Sequence, residues 1–302
     1  MAAEDARVHS AAEYSLAALL TQKGETTVSV CLPARDEAAT IGPIVDSIVT
    51  HFGAHADHRV PLVDEVIVLD DDSTDATASL ASAAGAKVVR VAEVLPGAGP
   101  GRGKGNVLWK SVAASSGDII VWIDADLRSF TPPYILGLLG PLLADPDIAL
   151  VKGFYERPEH AGTGGGRTTE LMARPVLATL FPELSGIHQP LGGEYASRRV
   201  ILEQVPFAQG YGVETGLLID IARLAGVDRI AQVDLGTRVH RHRPLRSLSV
   251  QAMEVLHAAL RRADGVDHAE LATVLARPDG AAIDALVAER PPLRDTAGYR
   301  PR

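Results

Sequence analysis

Ile119-Ile120-Val121-Trp122-Ile123-Asp124-Ala125-Asp126 runs from an unbroken apolar segment straight into two carboxylates one residue apart. The apolar part reads as a strand covered on both faces, the pattern of a buried parallel sheet. In such sheets ligands bind beyond the carboxyl ends of the strands. The fold that buries 119–123 therefore also offers Asp124 and Asp126 to a ligand. One of the pair can take a divalent cation while the other steadies a ligand hydroxyl or the metal's waters. Hard oxygen ligands suit Mg²⁺ or Mn²⁺, which would neutralise a diphosphate. The plainer alternative is a solvated turn, since Asp-x-Asp is common by chance; its place behind a buried strand favours the metal site.

Outward from this stretch the same pattern repeats. Residues 28–32, 65–70, 87–91 and 148–153 also read as strands, and helical patterns at 40–52, 74–84, 106–115 and 132–143 alternate with them. Such alternation implies right-handed βαβ units and an α/β layered fold with a mostly parallel central sheet. The segments after the strands are charged or Gly-rich: Pro33-Ala34-Arg35-Asp36-Glu37, Asp70-Asp71-Asp72-Ser73-Thr74-Asp75, and the stretch 96–105. Asp70 and Asp71 lie nearest a strand end, where a nucleoside base or ribose could be gripped. The rest of that cluster fits a turn, with Ser73 or Thr74 capping the next helix.

Gly101-Arg102-Gly103-Lys104-Gly105 is not a P-loop, because Ala98 stands where the first Gly belongs and Gly105 follows Lys104. Its Arg102 and Lys104 still suit a pyrophosphate, the alternative being a solvated mobile loop. Gly164-Gly165-Gly166-Arg167-Thr168-Thr169-Glu170 puts free N–H groups, a guanidinium and two hydroxyls at a helix start, an anion site unless it is a flexible linker. In Arg238-Val239-His240-Arg241-His242-Arg243-Pro244 a neutral His could join Asp126 on a metal, but on its own the stretch reads as a basic surface loop. Glu214, in Tyr211-Gly212-Val213-Glu214, either complements a helix dipole or faces an acceptor.

Composition narrows the class. The 302 residues are 46% hydrophobic and 22% charged, ordinary for a globular protein, which excludes global disorder. Lys+Arg at 29 against Asp+Glu at 38 gives a formal charge of -9, arguing against nucleic acid as a partner. The single Cys31 can form no intrachain disulfide and reads as a small core residue. No signal peptide or membrane span is expected; the apolar stretch 135–144 is too short and is broken by Gly137, Gly140 and Pro141. A cytoplasmic protein is the expectation. Further along, a helix from about Thr168, a Gly192-Gly193 turn, a helix near 213–225 and a strand at 229–235 are expected. Residues 245 to about 290 read as helical, and the last dozen as a tail.

Together these segments resemble the GT-A glycosyltransferases, and more closely the glucosyl-3-phosphoglycerate synthases, retaining enzymes of glycosyltransferase family 81. The resemblance rests on Leu32-Pro33-Ala34 with Glu37, Gly103-Lys104-Gly105, Asp124-x-Asp126-Leu127 and Gly164-Gly165-Gly166-Arg167. Gln189-Pro190-Leu191, Gly193-Glu194-Tyr195, Gly210-Tyr211-Gly212-Val213-Glu214 and His240-Arg241 extend it, so that it covers about 26–250. It implies a GT-A fold, UDP-glucose as donor, the 2-hydroxyl of D-3-phosphoglycerate as acceptor, and a homodimer. By the same resemblance Pro33, Ala34, Glu37 and Asp71 hold the uridine, Lys104 the donor diphosphate, and Asp124 the ribose. Asp126 and His240 would ligate Mg²⁺ or Mn²⁺, Gly166, Arg167 and Thr169 would bind the phosphoglycerate, and Tyr211, Glu214 and Arg238 would line the sugar and acceptor region. Asp126, Lys104 and Glu214 are the expected catalytic group.

The chain departs from that family at Asp71-Asp72, where Ser-Gly is expected, and at His242, where Asn is. A carboxylate near the base bears on uridine against guanosine, so a mannosyl-3-phosphoglycerate synthase using GDP-mannose is the alternative, with GDP-glucose as a further donor. A sugar nucleotidyltransferase would carry a Gly-rich signature where Pro33 to Glu37 stand, and a non-catalytic nucleotide-sugar sensor would bind without turnover. The expected division is an N-terminal extension (1–25), a nucleotide-sugar half (26–153), an acceptor half (154–245), and C-terminal helices and tail (246–302).

Overall fold

In the inner strands of the main sheet, successive side chains go to opposite faces and both faces are covered. Val28, Val30 and Leu32 lie in one apolar cluster with Val66, Val68, Ile119, Val121 and Ile123. Cys31, Ile67, Leu69, Ile120 and Trp122 lie in the other. The period of two, combined with apolar residues at every position, is what a sheet sandwiched between helices demands. The computed structural model describes residues 7–54, 60–156, 166–237 and 245–301.

In chain order the first elements are β1 (Val8–Ser10), α1 (Leu16–Lys23), β2 (Val28–Ala34), α2 (Ile41–Phe52), β3 (Glu65–Asp70), α3 (Thr77–Ala83) and β4 (Lys87–Arg90). Then come α4 (Lys104–Ala114), β5 (Ile119–Trp122), α5 (Pro133–Ala144), β6 (Leu150–Glu156), α6 (Arg174–Leu180), β7 (Tyr195–Arg198) and α7 (Arg199–Leu202). The last are β8 (Phe207–Ala208), α8 (Val213–Ala225), β9 (Ile230–Thr237), α9 (Leu245–Leu260), β10 (Val274–Ala276), β11 (Ala282–Asp284) and β12 (Glu289–Arg290). The main sheet has eight strands in the order β1-β9-β6-β7-β5-β2-β3-β4. Pairing is parallel except at β7, which runs antiparallel to both β5 and β6. Strand order reverses between β2, which leads on to β3, and β5 on its other side. Such a switch point opens a crevice at the strand tips.

Three expectations are corrected. Residues 8–23 are no mere extension: β1 pairs in parallel with β9, and the ammonium of buried Lys23 bonds to Asp64 at 2.9 Å and to the Pro61 carbonyl at 2.8 Å. The stretch after α9 is not continuously helical, since β10 and β11 form an antiparallel hairpin there. The final residues are no loose tail: Leu293 is fully buried, and the Pro291 carbonyl accepts from the Trp109 indole at 2.8 Å. Cys31, as expected, is buried and free, and burial pushes its thiol up to about 12.

Candidate active site

The loops leaving β2, β3 and β5 meet the start of α4 around a cleft of about 340 Å³. Pro33, Ala34, Glu37, Asp71, Lys104, Asp124, Asp126 and Tyr211 all line it, together with Arg35 and Val107. The first two loops brace each other. Asp36, held at φ 56°, accepts from the Thr74 amide at 2.7 Å, and Glu37 donates its amide to the Thr77 hydroxyl at 2.8 Å. Ser73 donates its amide to Asp70 at 3.3 Å and receives the Asp36 amide on its hydroxyl at 3.1 Å. Ser73 and Thr74 thus tie loop to loop rather than capping α3, whose first amide, that of Thr77, donates to Asp75 at 2.9 Å. Asp71 faces the cleft half-buried, and burial raises its carboxyl above the usual range against the pull of Arg35.

Lys104 is the first residue of α4, not a loop residue, and it organises the floor. Its ammonium lies 2.7 Å from Asp124 and 2.8 Å from Glu214, which stands in the first turn of α8. Burial works to lower its pKa, but the two carboxylates overcome that and hold it well above its ordinary value. Lys104 therefore stays a fixed cation at the mouth of the strand tips. Glu214 sits at a helix N-terminus, the first of its two expected places, and its carboxylate is engaged by Lys104. Arg102 is not among the cleft residues; its backbone amide donates to the Gln209 side chain at 3.0 Å.

Asp126 is exposed to the cleft between buried Ala125 and Leu127. That places one hard oxygen donor beside a second carboxylate already braced by Lys104. The donor set fits a Mg²⁺-like ion, which binds through one or two carboxylates and completes its shell with water and phosphate oxygens. His240 and Arg238 lie outside the described residues, as do Gly162 to Gly165.

The residues expected for an acceptor anion are described from Gly166 onward and are not gathered in the carboxylate cleft. Gly166 adopts φ 83°, Thr169 is buried, and Arg167 lines a separate cavity of about 180 Å³ with Leu171, Met172, Leu248 and Ala252. A π-helical turn, Thr169–Ala173, carries this segment into α6, a distortion found often at functional sites.

Sequence reasoning missed a buried ionic layer behind the cleft. Lys152 of β6 donates to the Gly192 carbonyl at 2.6 Å and lies 4.3 Å from the Tyr195 ring centre. Burial lowers its ammonium to about 8, with Glu214 opposing and Lys104 assisting that fall. Next to it, a Cβ on Gly193 would overlap the Asp124 carboxylate, so glycine lets the turn press against that side chain. The signal was present, a lone lysine inside the apolar run Ile148 to Phe154.

A family model described as glycosyl transferase family 2 matches residues 29–208, so the chain carries a glycosyltransferase domain, and the cleft lies at the strand tips of that domain. The glucosyl-3-phosphoglycerate synthase of Mycolicibacterium smegmatis is 50% identical over 254 residues, covering 82% of each chain. A crystal structure of the Mycobacterium tuberculosis synthase with Mn²⁺, uridine-diphosphate-glucose and phosphoglyceric acid superposes with a TM-score of 0.85 at 44% identity, covering 96% of this chain and 98% of that one. A second, with Mg²⁺ and uridine-diphosphate, gives 0.84 at 44% identity over the same shares. The chain belongs to the glucosyl-3-phosphoglycerate synthase family, metal-dependent enzymes with the GT-A fold.

Proposed function

We propose that this chain transfers glucose from UDP-glucose to the 2-hydroxyl of D-3-phosphoglycerate, with retention at the anomeric carbon. The observation that carries the reading is Lys104, a part-buried cation fixed between Asp124 and Glu214 at the crevice where the strand order reverses. Pro33, Ala34, Glu37 and Asp71 hold the nucleoside, Asp124 the ribose, and Lys104 the donor diphosphate. Mg²⁺ or Mn²⁺, held by Asp126 and His240, supplies neutralisation of the charge that develops on the departing diphosphate. Lys104 adds a preorganised positive charge to the same end of the donor. Gly166, Arg167 and Thr169 take the phosphoglycerate, and Tyr211, Glu214 and Arg238 border the glucose. Asp124 and Glu214 are both engaged by Lys104, so neither is poised as a nucleophile. Front-face attack follows, with a departing phosphate oxygen accepting the acceptor hydroxyl's proton.

In this reading residues 26–153 serve the donor and 154–245 the acceptor. A homodimer belongs to the same reading, on the family resemblance. Both substrates are phosphorylated metabolites kept inside cells, which supports a cytoplasmic enzyme. One observation favours a second reading: Asp71 lines the cleft, and a carboxylate can accept two N–H bonds from guanine where uracil offers one. GDP-mannose or GDP-glucose is then the donor. The deciding experiment sets UDP-glucose, GDP-glucose and GDP-mannose against 3-phosphoglycerate, with and without EDTA, and identifies the product by NMR. Turnover of UDP-glucose that EDTA abolishes supports the proposal; turnover of a GDP-sugar alone overturns the donor.

A further inference from the structure

The strand β12 and the residues around it form a strap across the loop that delivers Lys104. β12 pairs with β8, and the Gln209 amide extends the ladder to the Ala288 carbonyl at 2.9 Å. From this strap the Arg290 guanidinium enters the interior, 5% exposed. It donates to the Ala98 carbonyl at 2.7 Å, the Gly99 carbonyl at 3.0 Å and Asn106 Oδ1 at 2.9 Å, and its Cζ lies 5.2 Å from the Trp109 ring centre. These partners bracket Lys104, two before it in the loop and two after it on α4. A Cβ on Gly101 would overlap both Arg290 and Asn106, so the loop is pressed onto the clamp. Adjacent Glu289 accepts from Arg262 at 2.7 Å, and Arg262 grips Asp220 of α8, the helix that carries Glu214. One strap thus fixes both helices whose first turns meet in the site. The strap itself, Ala288 to Arg290, lies beyond the 29–208 region shared with family 2 glycosyltransferases.

We propose that Arg290 is a positioning residue for donor use: it sets the 98–103 loop and the start of α4 so that the Lys104 ammonium stands where the leaving diphosphate forms. This rests on the reading of Lys104 as the diphosphate-binding cation. Removing the guanidinium orphans three acceptors, and the loop gains freedom at the residue that must not move. Misplacement of a reacting group by about 1 Å can cost a hundredfold in rate.

The test is steady-state kinetics with UDP-glucose and 3-phosphoglycerate on wild type, Arg290→Ala, Arg290→Lys and Lys104→Met, with and without dilute guanidinium chloride. For Arg290→Ala, kcat/KM for the donor should fall about tenfold to a hundredfold, while the acceptor KM stays within about twofold. Guanidinium ion should restore part of the donor term and nothing in wild type. Arg290→Lys keeps the charge and the stem, and should show a smaller donor loss even where the alanine variant folds poorly. Donor kcat/KM unchanged in Arg290→Lys, or lost equally with the acceptor term and without guanidinium rescue, overturns the proposal. If Lys104→Met also leaves donor use intact, the reading of Lys104 fails instead.

Discussion

Lys104 and Glu214 meet 2.8 Å apart at the first turns of two helices, α4 and α8, that the sequence keeps far apart. The Lys104 side chain is 17% exposed and that of Glu214 4%, so the contact is an interior one, shared with Asp124. Breaking a buried pair by removing one partner costs about 3–5 kcal/mol, because a charge is left uncompensated. Lys104→Met should lose stability on that scale as well as turnover. Adding Glu214→Leu should return part of the stability and none of the activity. Denaturant unfolding of both variants checks this; a Lys104→Met chain as stable as wild type would show that the pair is not desolvated.

Lys152 makes the pH prediction. Its ammonium titrates at about 8 in the fold against an ordinary 10.5, burial being the main cause. Between those values the unfolded chain binds more protons than the folded one, so stability from this group rises with pH, by at most about 1.4 kcal/mol per unit. Below about 8 both states carry the proton and the full cost of burying the charge is present. The unfolding free energy of wild type, measured relative to Lys152→Met, should therefore improve from pH 8 to 10. A difference that is flat or declining across that interval would contradict the burial of a charged Lys152.

Gly193 is tested by one methyl group. The Cβ of Gly193→Ala has no space beside the Asp124 carboxylate, which must swing away from Lys104. Turnover should drop about tenfold to a hundredfold while substrate binding at a distance from that carboxylate changes little. Wild-type kcat in the variant would mean that Asp124 is free to relocate without consequence.

Arg167 lies against α9, in a cavity of its own. Arg167→Ala should raise the KM for 3-phosphoglycerate well above any change in the donor KM, since a guanidinium is what grips a phosphate or carboxylate bidentately. An unchanged acceptor KM would move acceptor binding elsewhere.

Much of the architecture was legible because burial on both faces leaves an unmistakable record in β2, β3 and β5, and because Asp124-x-Asp126 directly follows the third of these. What escaped was decided by distant partners. β7 is only Tyr195–Arg198, with no apolar run; it is held by pairing with β5 and β6 and by Arg198 donating to the Ile148 and Leu142 carbonyls at 2.8 and 2.7 Å. The β10–β11 hairpin had a local signal, Pro278-Asp279-Gly280 with Gly280 at φ 81°, that Ala-rich composition outweighed. Arg290 gave no signal at all, since two of its acceptors are backbone carbonyls almost two hundred residues earlier. In the cleft, the residues behind β2, β3 and β5 followed from the rule that ligands bind at strand tips and Tyr211 from the family resemblance, whereas Lys152 acquired its meaning only once β6 and the Gly192 turn were adjacent.

The most direct measurement is a crystal structure of this chain soaked with UDP and Mn²⁺. The account predicts the diphosphate within hydrogen-bonding distance of the Lys104 ammonium, roughly 3 Å, and the cation on the Asp126 carboxylate. A nucleotide seated away from the tips of β2 and β5, with Asp126 bearing no metal, would contradict it.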